Sequence, residues 1–427
     1  MDKQALLQAL DNSGGEHVRL LQTFVQAPSP NPPGDTLAAA AVITAYLVAK
    51  KIPYEIVTDI DYDHAPNIVS EFTGGLGSGP RVILNGHLDV FPVIDEKEWK
   101  YGPWSGHIAG DRLYGRGVVD MKSGTVSLVA AYAALFEKRH LLRGSVMLCA
   151  VSDEEVGGKH GTAFLLRTDP GRYKGDVMLS AEPGGCGSVR FAEKGTLRMR
   201  CVVHTKGAHG AYTNLSPGAV RTAAALISDI VAAVEGMDVQ LPAEMAKQLK
   251  NKNVLDRIDD VMGPGTSEII AKPTVNVGTI QGGGEALNVI PDRCDFTLDI
   301  RMPVGLTRED VLPLIRKQAD KHEVATVELA VVEAASNPAS YSAIGHSMVG
   351  LLADNAGDLL APEGQPKPLA IPSMGATDCK HYRYAGVSAY DYGCSPFSMA
   401  QVNESASIRE FLHVAKVHAA AVWDYLR

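Results

Sequence analysis

Four times within the first 185 residues an apolar run stops at side chains that bind metals or move protons. Residues 81–85 lead to His87 and Asp89, 113–119 to Asp120, Ser145–Val151 to Glu154 and Glu155, and 176–181 to Glu182. Helical periodicity separates these runs, as at 36–51, after Asp120 and around 162–167. Strand and helix in alternation predict an α/β unit with a mostly parallel, buried central sheet. Sheets of that kind bind ligands beyond the carboxyl ends of their strands, so the pattern gathers one imidazole and several carboxylates at one edge.

Each feature taken alone has an ordinary explanation. A His-x-Asp pair is commonly a polar loop, Asp is a preferred helix N-cap at a position such as 120, and paired glutamates are often surface acids. Four recurrences at strand ends make a shared site the better explanation. His87 and Asp89, two residues apart in extended chain, share one side, where a carboxylate can fix the tautomer of a ligating histidine. Glu154 and Glu155 point different ways, so one can hold metal while the other reaches the water that the metal acidifies.

The chain has 427 residues, more than one growing core usually serves. After residue 195 the pattern changes to alternating strands at 197–204, 274–280 and 293–301, with helices at 218–234 and 308–322. This predicts a catalytic domain in two parts, 1–195 and 335–427, around an inserted α+β domain, 196–334. The helix after Asp120 is expected to be amphipathic, with Thr125, Leu128, Val129, Tyr132, Leu135 and Phe136 facing the sheet.

With 45% apolar and 21% charged residues and a formal charge of −9, the composition is that of an ordinary globular protein. Without basic runs a nucleic-acid partner is not expected, and no uninterrupted apolar stretch suggests a membrane span. The start lacks the pattern of a secretory signal, and six scattered cysteines suit reduced thiols, so a cytoplasmic location is expected.

The chain resembles the co-catalytic metallopeptidase family of aminoacylase, carboxypeptidase G, acetylornithine deacetylase and succinyl-diaminopimelate desuccinylase. The resemblance rests on Gly86-His87-Leu88-Asp89-Val90, the run from Tyr114 to Lys122, Asp153-Glu154-Glu155-Val156-Gly157, Ala181-Glu182-Pro183 and Asn288-Val289-Ile290-Pro291-Asp292. It implies a zinc-peptidase-like catalytic domain with a lid and dimerisation insert, and one or two divalent ions per chain, Zn2+ or Mn2+. Asp120 would bridge two ions, His87 and Glu182 would complete one site, Glu155 would serve the other, and Glu154 would be the general base, with Asp89 orienting His87. His209 would polarise the scissile group, often across a homodimer, and Asn276 and Arg301 would hold a small carboxylate-bearing substrate.

Two positions depart from the family pattern. Gln401 stands where a histidine ligand is usual, and an amide oxygen is a poorer zinc ligand than imidazole. Lys380 stands where many relatives place an arginine that clasps a substrate carboxylate, which keeps the charge without the bidentate fork. The expected reaction is hydrolysis of an amide in an N-acyl amino acid or peptide-like compound. The departures leave open displacement of an aromatic amine from an aminobenzoate, and a non-catalytic binding protein on the same fold.

Overall fold

In the computed structural model, which describes residues 2–360, 364 and 366–427, the strand runs leading to His87, Glu154 and Glu182 assemble into one nine-stranded sheet, whereas on the run to Asp120 only Arg112–Tyr114 is a strand, in a separate three-stranded sheet with His107–Ala109 and Ser405–Ser407. Its middle is four parallel strands in the order Ser145–Val151, Arg81–His87, Val177–Ser180 and Ser388–Asp391. Nearly every residue of these strands is buried, as their continuous apolar runs require. Antiparallel strands flank this centre, Asn67–Thr73 with Glu55–Val57 on one side and Ser188–Glu193 on the other. Ser188–Glu193 also carries Ser340–Tyr341 and, in parallel, Leu369–Ser373. The chain after residue 335 thus returns to the first sheet and contributes a strand to its middle.

The helix Ser123–Glu137 follows the Asp120 turn but is not a surface helix. Of its first thirteen residues all but Ala134 are buried, because the C-terminal helix Ile408–Tyr425 packs against it as well as the sheet. Ser127 Oγ donates to Phe411 O at 3.0 Å across that contact. By length and composition Val118–Glu137 could cross a membrane, yet 89% of its most apolar window is buried within the protein. All six cysteines are free and buried.

A second, four-stranded antiparallel sheet runs in the order Thr274–Gly282, Arg293–Met302, Gly195–His204 and Thr326–Val331. Helices Ala219–Glu235 and Arg308–Asp320 pack on it around Leu197, Phe296, Ile300, Leu226 and Ile315, a core separate from that of the large sheet. A capping box between Thr307 and Asp310 starts the second helix. Only Lys194 separates Ser188–Glu193 of the large sheet from Gly195–His204 of the small one, and its Nζ donates to Ile269 O at 2.7 Å and Lys272 O at 2.6 Å. The sequence reading missed Ser188–Glu193, Thr326–Val331 and the helices Ala243–Gln248 and Lys252–Met262. Lys252–Met262 packs Val254 and Ile258 against Ile270 and Ile371 of the large sheet.

Candidate metal centre and active site

His87 is the last residue of its strand, and backbone pairing decides where its ring points. Its Nδ1 lies 2.8 Å from Asp89 O, which makes Nδ1 the donor and leaves Nε2 to face the acids. Nε2 lies 3.3 Å from Asp120 Oδ1, 3.6 Å from Glu182 Oε1 and 3.9 Å from Glu154 Oε2. The ligand atoms of His87, Asp120 and Glu182 all lie within 4.8 Å of one another, the spacing of a three-ligand metal site.

Asp89 works differently from the sequence expectation. Its carboxylate is 3.7 Å from His87 Nδ1, which the main-chain oxygen occupies instead. That carboxylate accepts the Asn31 amide at 2.9 Å, the Glu154 N–H at 3.2 Å and the Glu155 N–H at 3.1 Å. It therefore positions the turn bearing both glutamates while its own carbonyl orients the histidine. The turn is tight, with Asp153 at φ 72° and Gly157 at φ 114°.

Asp120 does not cap a helix. It sits in a distorted turn at φ −115°, ψ 100°, which aims its side chain into the cluster. Glu404 holds that turn from across the chain, accepting N–H bonds from Val119 at 2.8 Å, Gly117 at 3.2 Å and Asp120 at 3.3 Å, and pairing with Arg116 at 2.6 Å. Burial raises Glu404 to about 6 despite these donors. Sequence reasoning gave Glu404 no role, although it closes the Asn403-Glu404 pair beside Gln401.

The electrostatics are those of a cation site. Burial and the Asp120 charge push Glu155 and Glu182 well above the usual carboxylate range. Burial would lower His87, but its Asp120 hydrogen bond and the charges of Glu182 and Glu154 outweigh this and raise it. Glu155 Oε1 is buried without a hydrogen-bond partner. One divalent cation would relieve each of these penalties, so the residues fit a metal held by His87, Asp120 and Glu182, with Glu155 beside it. Gln401 is exposed and lines the same cleft, on a loop with Ser398, Ala400 and Asn403 at positive φ.

Glu154 is 11% exposed, and among the described residues its carboxylate makes no hydrogen bond. Burial lifts it to about 8, against the lowering charges of Lys380 and His87. The chain matches the model of peptidase family M20/M25/M40 over residues 83–424.

The chain belongs to that family.

Members of M20 are metal-dependent peptidases and amidohydrolases, and this chain is a metal-dependent hydrolase of that kind. Solved structures share its fold at low identity. An M20 metallo-carboxypeptidase from Sulfolobus solfataricus is 20% identical with a TM-score of 0.80, covering 96% of this chain and 99% of that one. Human carnosine dipeptidase 1 is 16% identical with a TM-score of 0.75, covering 100% and 99%. A dinuclear metal-binding M20 peptidase from Bacillus subtilis is 14% identical with a TM-score of 0.62, covering 99% of both chains.

The M20 cleft has a volume of about 900 Å³ and is lined by Asp120, Glu154, Glu155, Glu182, Lys380 and Gln401, with Arg301 on its lid side. Lys380 lines the cleft but is buried and already has neighbours within the chain. Its Nζ donates to Thr377 O at 3.1 Å and lies 3.8 Å from Glu154 Oε1. The turn carrying it is held by Glu193, which accepts Thr377 N at 3.1 Å and Thr377 Oγ1 at 2.5 Å. His209 and Asn276 are not among the residues that line the cleft. His209 lies on an exposed two-stranded ribbon with Val289, and Asn276 lies exposed on the lid's edge strand, so this chain alone brings neither to the metal cluster.

Proposed function

We propose that the chain hydrolyses a C–N bond in a small carboxylate-bearing substrate, the amide of an N-acyl amino acid or peptide-like compound, with Glu154 as general base and then acid. The observation that carries this reading is the Glu154 carboxylate, buried between His87 and Lys380 and not engaged in any described hydrogen bond. Its raised affinity for protons suits a group that takes one from water and returns it to the leaving amine. Lys380 steadies the carboxylate when it is ionised. A divalent ion, Zn2+ or Mn2+, held by His87, Asp120 and Glu182 would supply Lewis acidity toward water and the scissile carbonyl. Glu154→Gln is expected to keep fold and metal stoichiometry and to lose turnover by at least about 100-fold. Activity within a few-fold of wild type on N-acyl amino acids and dipeptides would reject the assignment.

A second reading, displacement of an aromatic amine, draws support from the apolar lining of Phe91, Val261, Met262, Met374 and Met399. Release of ammonia from an aminobenzoate without an acyl product would establish it.

Among the described residues the lid's edge strand Thr274–Gly282 has one side unpaired, and Ile280, Leu287, Val289, Tyr212 and Leu215 are exposed on the lid. These features support a homodimer through the lid, which would let His209 act on the partner's site. A monomer in solution that retains full activity would exclude this arrangement.

A further inference from the structure

Four cationic side chains line the cleft, and three of them already face an acid. Lys380 lies 3.8 Å from Glu154. Arg301 holds Asp299 through Nε and Nη2, each at 3.0 Å. Arg198 Nε lies 3.6 Å from the same carboxylate.

Arg190 is the exception. It is 8% exposed, its Nε is buried without a partner, and among the described residues its side chain makes no hydrogen bond or ion pair. Asp391, Glu182, Glu193 and Asp120 influence it only through space. Burying a guanidinium without direct partners is costly, and chains keep such groups where a ligand completes them.

The backbone is shaped around this side chain. A Cβ at Gly184 would stand 3.0 Å from Arg190 Nε and 3.4 Å from Cζ, so the glycine leaves the space the guanidinium occupies. Arg190 pairs in register with Asp391, whose strand adjoins Val177–Ser180, the strand that leads to Glu182. The free guanidinium and the metal cluster therefore share one wall of one cleft.

We infer that Arg190 is a specificity-determining residue that holds a substrate carboxylate in a two-pronged pair close to the scissile bond. The inference rests on the C–N hydrolase reading of the site. It gives Arg190 the task that the sequence pattern suggested for position 380, where Lys380 instead serves Glu154. A planar monoanion suits the place better than a phosphate dianion, because Glu182 and Asp120 line the same cleft.

The test uses the metal-loaded full chain and matched pairs of N-acetyl amino acids or dipeptides and their C-terminal carboxamides. Wild type is expected to prefer the acids. Arg190→Met should raise KM for the acids by on the order of 100-fold, change kcat little, and leave the carboxamides unaffected. Arg190→Lys should recover part of the loss, and Gly184→Ala, which crowds the guanidinium, should raise KM for the acids alone. Equal losses on acids and carboxamides would overturn the inference in favour of a structural charge, as would an unchanged KM for the acids.

Calorimetric binding of the same pairs to the Glu154→Gln background separates this inference from the reading beneath it. If wild type cleaves none of the pairs, the hydrolase reading fails. Acid-selective binding that Arg190→Met abolishes would still uphold the carboxylate site, and binding that survives the substitution, or no binding of any acid, would overturn it.

Discussion

The Asp89 carboxylate accepts the backbone N–H of Glu155 at 3.1 Å, so a residue two positions beyond the metal-facing histidine fixes the turn that carries the base. The same carboxylate takes the Glu154 N–H at 3.2 Å. Asp89→Asn would turn an acceptor of these N–H groups partly into a donor. We expect it to lower kcat/KM or metal affinity by about 10- to 100-fold while the protein stays folded. Metal titration together with steady-state kinetics checks this, and a loss below threefold in both would refute it.

Glu404 is buried and ties Arg116 to the turn before Asp120. Glu404→Gln removes the anion and leaves the guanidinium buried without its charge partner. The expected cost is about 3–5 kcal/mol of stability, read from urea unfolding. A change under about 1 kcal/mol would show that the Arg116 pair contributes little to holding the turn.

Among the described residues the site offers one closed set of ligands, His87, Asp120 and Glu182, and position 401 carries no imidazole. Elemental analysis of the purified chain is expected to find one tightly held divalent ion. Gln401→His should bring the count toward two. Two tightly bound ions in the wild type would show that the exposed amide suffices.

Burial lowers His413 and His418 from 6.5 to about 4. His418 Nε2 donates to Tyr392 O at 2.7 Å, and His413 Nε2 lies 2.8 Å from the Tyr392 hydroxyl. As pH falls through 6.5 the unfolded chain takes up these protons first, so stability is complete above 6.5 and is lost progressively down to about 4. The loss is roughly 3 kcal/mol per histidine at most. Unfolding free energies measured across this range should decline steeply, and His418→Phe should make the decline shallower. An unchanged slope in the variant would show that His418 is not the linked group.

The histidine and the glutamates of the centre were legible in the chain because each ends or closely follows its own strand of the large sheet, and that relation is local, whereas Asp120 sits in a distorted turn after a strand of another sheet. His87, Glu154, Glu155 and Glu182 were placed by runs of a few apolar residues, and the parallel middle of the sheet by their alternation with helices. Length and the change of pattern near residue 195 likewise announced a second sheet.

Tertiary structure decided which groups are already occupied. Lys380 reads as a substrate clasp in sequence, but folding sets it beside Glu154, 226 positions earlier in the chain. Glu404 reaches the turn of Asp120 across a separation of 284 residues, which no local pattern reports. Ser123–Glu137 reads as a surface helix until Ile408–Tyr425 covers it. Residue type and spacing determine what a side chain can do, whereas the partners that consume or free its charge arrive from distant segments. Arg190 is left without a direct acid partner although Glu193 and Asp391 act on it through space, and both of these face Arg383, at 3.0 Å and 3.9 Å.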